Sequence, residues 1–388
     1  MTETLFEEVV ACRRYLHQHP ELSFQESETA RYIENFLMER GIKSEGRLAE
    51  NGIVYLIKGL RPGSKVVALR ADIDALPIQE QNDVSYKSKH DGIMHACGHD
   101  VHTSSLLGAA LVIDRLKTKF GGIVKLIFQP AEERLPGGAS IMIKEGVLQN
   151  PAPTSIFGQH VHPPLESGKI GVKPGIYMAS ADELFVTVRG RGGHAALPQD
   201  CIDPIVTASN IILSLQQIVS RRANPTTPTV LSFGKINSQG GATNVIPAEV
   251  RLEGTFRTMD EQWRSQAHEL MLEMAEQIAR SAGASCEFKI KKGYPYLQND
   301  LELTTRFRSH AEEFLGAENV VDLPIRMTAE DFAYYSQEIP ACFYRLGTGN
   351  LEKGITSPIH TPTFDVDEEA LKVGVGLLAW VAFKELQD

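Results

Sequence analysis

Residues Met94 to Leu107 read MHACGHDVHTSSLL and follow closely on RADIDALP, Arg70 to Pro77. Cys97, His99, Asp100 and His102 fall together here, and Gly98 sits between the thiol and the first imidazole. A bend at that glycine turns a thiolate and an imidazole towards one point, as a metal site requires. Taken alone, the pair better suits a buried small thiol beside packing histidines. The flanks set the local architecture. KVVALRA (Lys65–Ala71) is a β-branched run that predicts a strand delivering RADIDALP, and residues 102–117, rich in small and apolar side chains, predict a helix.

Working outward, the same unit recurs. IVYLIKG (Ile53–Gly59) is a further strand, and GIVKLIF (Gly122–Phe128) is a strand ending at QPAEE (Gln129–Glu133). A helix over 137–145 follows, then a strand at 155–158 that leads into GQHVHP (Gly158–Pro163). Strand, loop and helix in repetition predict a largely parallel sheet covered by helices, with chemistry at the carboxyl ends of the strands. With SPIHTP (Ser357–Pro362), these segments supply one thiolate, three imidazoles and adjacent carboxylates, enough for two divalent metals.

Upstream, apolar positions at Leu5, Val9, Cys12 and Leu16 predict a helix over 5–19 that Pro20 ends. A second helix is expected from Ser23, with Glu26 completing a capping box, to Gly41. His17 and His19 in the linking region are read as structural. Near Ala179 the pattern changes. DELFVTVRG (Asp182–Gly190) alternates like a half-exposed strand, GGHAALP follows, and a helix over 203–221, strands at 229–236 and 249–257, a helix over 260–282 and a strand over 285–291 complete a βαββαβ order. This predicts an inserted ferredoxin-like α+β domain. After 293 the chain returns to alternation, with a helix at 301–315, TAEDFAYYS at 328–336, CFYRLG at 342–347, the His360 loop, and a last helix from about Asp365 with Glu368 in capping-box position. The expected division is 1–178 and 293–388 for one discontinuous catalytic domain and 179–292 for the insert.

A net charge of −10 without a basic run argues against an electrostatic grip on nucleic acid or an anionic membrane. MTETLFEEVV lacks the basic and apolar regions of a secretory signal, and no stretch approaches the roughly 18 apolar residues of a membrane span. These features predict a cytoplasmic protein. The odd set Cys12, Cys97, Cys201, Cys286 and Cys342 shows no framework spacing, which favours reduced thiols.

The ordered motifs, from RRYLHQHPELSFQE (Arg13–Glu26) to HTPTFD (His360–Asp365), resemble those of metallopeptidase family twenty, subfamily D. That group holds hippurate hydrolases, N-acyl-amino-acid amidohydrolases, auxin-conjugate hydrolases and N-acetyl-diaminopimelate deacetylases. The resemblance covers essentially the whole chain. It implies an α/β, mainly parallel-sheet dinuclear metallohydrolase domain with an inserted lid and dimerisation domain, assembled as a homodimer or higher homo-oligomer. It implies two divalent ions, Zn or Mn, held by Cys97, His99, Glu133, His160 and His360, with Cys97 as the bridge. Glu132 is then the general base acting on a metal-bound hydroxide. Asp72 is the supporting aspartate, with Asp74 as the alternative, and Arg70 stands where other branches carry a histidine ligand. His194 is the carbonyl-contacting donor and Asn244 a substrate-binding residue, while His95, His102 and His162 support or pack.

The expected activity is hydrolysis of N-acyl amino acids, acetyl first among them. The alternative is a dipeptidase or carboxypeptidase acting on short peptides at the same site. Thr328 and Ala329 before Glu-Asp-Phe depart from the family's usual Gly-rich pair and bear on the substrate pocket. A non-catalytic metal-binding homologue conflicts with the intact base and ligands, and no strand leads into the G-x-G-x-x-G turn of a dehydrogenase.

Overall fold

In the computed structural model, which describes residues 3–238, 240 and 242–387, the alternating runs become alternating elements. Met1 and Thr2 of the acidic N-terminal stretch lie outside the described residues. The chain divides into two units: Met1–Tyr177, Gln298–Ile325 and Asp331–Asp388 form one, and Met178–Leu297 with Arg326–Glu330 forms the other.

The first unit opens with helices α1 (Glu3–Gln18) and α2 (Ser27–Met38) and strands β1 (Ser44–Leu48), β2 (Gly52–Lys58) and β3 (Arg61–Asp72). Helix α3 (His99–Leu116), strand β4 (Gly121–Gln129), helix α4 (Gly138–Lys144) and strands β5 (Ser155–Glu166), β6 (Ile170–Val172) and β7 (Gly175–Met178) follow. The second unit contributes β8 (Asp182–Arg189), β9 (Gly193–His194), α5 (Pro204–Gln217), β10 (Thr229–Ser238), β11 (Val245–Ile246), β12 (Glu249–Thr258), α6 (Glu261–Ser281) and β13 (Ser285–Lys292). The chain ends with β14 (Leu297–Asn299), α7 (Leu301–Leu315), β15 (Val320–Asp322), α8 (Ala333–Glu338), β16 (Ala341–Gly349) and α9 (Ala370–Glu385).

In the first unit an eight-stranded sheet runs β1-β2-β4-β3-β5-β16-β6-β15, and its central strands β4, β3, β5 and β16 are parallel. Their apolar residues, such as Val67, Leu69, Leu126 and Phe157, are fully buried, as strands covered on both faces must be. Helices α3 and α9 pack on one another and on the sheet. Both are buried almost all round, which is why neither sequence carries a clear polar face.

The second unit holds a four-stranded antiparallel sheet, β10-β12-β8-β13, with α5 and α6 packed on it. Leu184, Val186 and Val188 alternate into its core against Ile211, Leu215 and Met271, and this is the ferredoxin-like βαββαβ arrangement read from the alternation.

Some local expectations are corrected. The capping box proposed at Ser23 and Glu26 does not form. Ser23 gives its hydroxyl to Asp74 at 2.7 Å, and α2 begins at Ser27. Glu26 is fully buried and accepts the N–H groups of Phe24 (2.9 Å) and Ala131 (2.8 Å) and the side-chain amide of Asn51 (3.1 Å). A buried carboxylate needs several donors, and two of these, on Asn51 and Ala131, lie far along the chain. The last helix likewise starts at Ala370, not Asp365, because Asp365 and Glu368 are engaged by Arg13, Arg14 and Tyr86. Strands β1, β6, β7, β9, β11, β14 and β15 go beyond the strands read from sequence; they are short, and β1 is mostly exposed. His160 lies within β5, which continues to Glu166.

Candidate metal centre

Gly98 precedes α3 with φ +80°, and a Cβ there would stand 2.6 Å from Val161 Cγ2. Only glycine suits both the left-handed backbone and this approach of the turn to β5. The turn presents Cys97 and His99 together. Beyond the end of β4, Ala131 is left-handed at φ 51°, a conformation that costs an alanine roughly 1–2 kcal/mol. Its N–H is held by buried Glu26, so the next two residues, Glu132 and Glu133, enter the site from a strained turn. His360 arrives from the distant C-terminal loop, also left-handed at φ 62°, with its N–H on Ala96 O at 2.8 Å.

These residues converge. The ligand atoms of Cys97, His99 and His160 lie within 4.8 Å of one another, and so do those of Cys97, Glu133 and His360. Cys97 Sγ is 3.4 Å from His160 Nε2 and 3.3 Å from His360 Nε2, which is itself 3.3 Å from Glu133 Oε1. The two groups share the thiol. Glu132, almost fully buried, falls within 4.8 Å of His99 and Glu133.

Hydrogen bonds assign the imidazole tautomers. His99 Nδ1 donates to Asp74 Oδ1 at 3.1 Å, and His160 Nδ1 donates to the Val161 carbonyl at 2.8 Å. Each ring therefore turns Nε2 to the cluster, and buried His99 Nε2 makes no hydrogen bond of its own. His102 differs. Its Nδ1 donates to Asp72 at 2.5 Å and its Nε2 accepts the Val161 N–H at 2.9 Å, so both nitrogens are occupied. The aspartate on the His99 ring nitrogen is thus Asp74, which also accepts the Glu133 N–H at 3.0 Å. Asp72, tied to Arg70 at 2.7 Å, fixes His102 and lies 3.6 Å from His99 Nε2. Arg70 also reaches Asp331 at 2.7 Å, so at this position the arginine braces carboxylates.

Electrostatics describe a site rich in negative charge. Burial pushes the Cys97 thiol well above its ordinary value, and Glu133, Glu132 and Asp72 push further in the same direction. Burial opposes charge on His99, but Asp72, Asp74 and Glu133 outweigh it and lift the imidazole to about 10. Burial and neighbouring Arg345 keep His160 neutral. A thiolate here needs a compensating cation, and the orphaned His99 nitrogen, on giving up its proton, offers a lone pair to one. Sulfur, imidazole and carboxylate donors with ordered tautomers fit divalent transition-metal ions.

The remaining residues read from sequence fall elsewhere. His95 is buried with neither ring nitrogen hydrogen-bonded, and His162 is half-buried on β5. His194 and Asn244 belong to the second unit, which brings them together: β9 pairs with β11 through His194 and Val245, and the Asn244 carbonyl accepts the Ala195 N–H at 2.9 Å. Both are exposed. Sequence reading missed Glu26 as the support of the PAEE turn and Arg13 as a buried cation. Neither has a local signal, because the partners that define these roles, Ala131 for Glu26 and Asp100 and Asp365 for Arg13, lie tens to hundreds of residues away.

A mainly parallel sheet bearing this donor cluster, with a separate ferredoxin-like unit, defines a metal-dependent amidohydrolase. The chain belongs to the peptidase family M20/M25/M40, whose model matches residues 68–384. It is 42% identical over 375 residues to an N-acetylcysteine deacetylase of Bacillus subtilis, with 96% of each chain covered. It is 38% identical over 379 residues to thermostable carboxypeptidase 2 of Saccharolobus solfataricus, covering 97% of this chain and 95% of that one. Among solved structures it resembles the Bacillus subtilis YXEP protein, a dinuclear metal-binding peptidase of the M20 family, with TM-score 0.83 and 38% identity over 100% of this chain and 99% of that one. No helix among the described residues is long and apolar enough to cross a membrane.

Proposed function

We propose that this enzyme hydrolyses the amide bond of N-acyl amino acids, small acyl groups such as acetyl foremost. Cys97, His99 and His160 would hold one divalent ion and Cys97, Glu133 and His360 a second, Cys97 bridging. The observation that carries the reading is the pair of three-residue groups meeting at one thiol, with a further carboxylate, Glu132, beside them. When bound, two such ions, Zn²⁺ or Mn²⁺, acidify water and polarise a carbonyl.

The chain's own groups supply the rest. Glu133 would be taken up as a ligand: its Oε1 lies 3.3 Å from His360 Nε2 and its N–H is held by Asp74. Glu132, buried beside His99 and Glu133, would take the proton of the attacking water and return it to the leaving amine. His194 is proposed as a donor to the reacting carbonyl and Asn244 as a substrate contact, and β10, an edge strand with exposed Ile236, as a surface for homodimerisation. The likeness to an N-acetylcysteine deacetylase over the whole chain supports the acyl-amino-acid reading. A short-peptide hydrolase is the second reading, favoured by the similar identity to a carboxypeptidase.

The test is a panel of N-acetyl-, N-benzoyl- and aminoacyl-amino acids given to metal-reconstituted protein and to Glu132→Ala. Turnover of acyl-amino acids, reduced roughly 10²–10⁴-fold in the variant with both ions retained, is expected. Cleavage of dipeptides alone transfers the assignment to the second reading. No cleavage with both ions bound refutes both.

A further inference from the structure

Arg13 on α1, in the RRYLHQH stretch, carries no role in the chemistry above, yet it pairs with three carboxylates near the centre. Arg13 is 0% exposed. Its Nε donates to Asp100 Oδ2 at 2.9 Å, its Nη2 to Asp365 Oδ1 at 3.0 Å and its Nη1 to Glu368 Oε1 at 3.4 Å. His17, one turn on, also reaches Asp100, at 2.8 Å, and Glu80, at 3.3 Å. Tyr86 donates to the second oxygen of Asp365 at 2.8 Å, and the Arg13 guanidinium lies over its ring, 4.6 Å from the centroid. One guanidinium therefore joins Asp100, the neighbour of His99, to Asp365, five residues after His360.

The proposed ligands are not equally supported. His99 is oriented by Asp74 and His160 by the Val161 carbonyl. His360 has no such partner: among the described residues its Nδ1 makes no hydrogen bond, its side chain is 49% exposed, and its backbone is left-handed. Its position depends on how its loop is tied down. Backbone bonds do part of this, from His360 N–H to Ala96 and from Gln81 N–H to Pro362. Side chains do the rest: the Asn82 amide donates to the Phe364 carbonyl at 2.8 Å, and the charged anchor is Asp365, which Arg13 and Tyr86 grip.

We infer that Arg13 is a positioning residue that holds the His360 loop against the Cys97–His99 turn, and so sets the affinity of the ion on the His360 side; this rests on the two-metal reading above. A planar fork spans several carboxylates at once, whereas an ammonium cannot. Arg13→Lys should then loosen His360 while leaving the His99 and His160 side, which has its own anchors, intact. Asp365→Asn should do the same from the loop end, at a partly exposed position that tolerates substitution.

The experiment is titration of metal-free full-length protein with Zn²⁺ by calorimetry, with Co²⁺ absorption spectra to follow thiolate coordination. Arg31→Met, which removes an exposed arginine paired with Glu28 on α2, is the control. The expected result is two ions in the wild type and the control. In Arg13→Lys and Asp365→Asn, one ion should bind at wild-type affinity and the other about 10–100-fold more weakly. A merely structural role would lower the melting temperature of the metal-free protein and weaken both ions together. If the wild type binds two ions and the variants bind both normally, or lose both equally, the inference is overturned and the metal centre stands. If the wild type binds no pair of ions, the metal reading fails and takes the inference with it. Should Arg13→Lys not fold, Asp365→Asn decides alone.

Discussion

Gly98 and Val161 approach so closely that the space for a side chain on residue 98 is already taken by the Val161 isopropyl group, 2.6 Å from where a Cβ would be. The same valine has its N–H on His102 and its carbonyl on His160, so it ties the turn carrying Cys97 and His99 to the strand carrying His160. Gly98→Ala should cost about 1–3 kcal/mol from backbone strain and overpacking. Thermal unfolding of metal-free protein measures this, and Zn²⁺ stoichiometry should fall with it. An unchanged melting temperature and full metal content would contradict the packing described.

Asp74 accepts from Ser23, from the Glu133 N–H and from His99 Nδ1. In Asp74→Asn the amide can keep one acceptor but must turn its NH₂ towards donors. Metal affinity should fall about 10–100-fold, the usual scale for losing a carboxylate behind a ligand histidine. Equilibrium dialysis against a competing chelator reads the change. Asp72→Asn, which disturbs His102 first, should have the smaller direct effect on His99, and the reverse order would show that Asp72 is the principal support.

Without a cation the Cys97 thiol and the His99 imidazole, raised to about 10, both carry protons at neutral pH. Ligands must shed them, so metal loading should release about two protons per chain near pH 7, and affinity should weaken as pH falls. Calorimetry in buffers of different ionisation enthalpy counts these protons. Loading with no release would exclude Cys97 and His99 as the ligands.

In the second unit, Asp182 is buried and accepts from Arg264 (2.5 and 2.9 Å), His268 (2.7 Å) and the Gly293 N–H (3.1 Å). Burial alone would raise its pKa, but His268 and Arg264 outweigh it and hold the carboxyl at about 2. A depressed acid contributes stability above its unfolded value and loses it as pH falls through the folded one. The contribution, about 2 kcal/mol, should be complete above pH ~4 and vanish towards pH ~2. Urea unfolding of wild type and Asp182→Asn should show a gap at neutral pH that closes over this window.

The amino-acid sequence by itself determined what depends on neighbours along the chain. Period-two alternation in DELFVTVRG set β8 and the antiparallel insert, and β-branched runs punctuated by Gly and Pro set the parallel core. The glycine between Cys97 and His99 marked the turn, and the resemblance of ordered motifs marked the candidate ligands. What only the tertiary structure decided are the choices a carboxylate or imidazole makes among distant partners. Glu26 looked like a helix cap and instead holds the strained Ala131. Glu368 looked like another and instead pairs with Arg13 and Arg14. Asp74 takes the hydrogen bond of the His99 ring while Asp72 takes that of His102. Hydrophobic periodicity is local because backbone geometry repeats every two or 3.6 residues. A buried charge answers to whichever donors the fold brings within about 3 Å, and nothing in the spacing of residues along the chain specifies that distance.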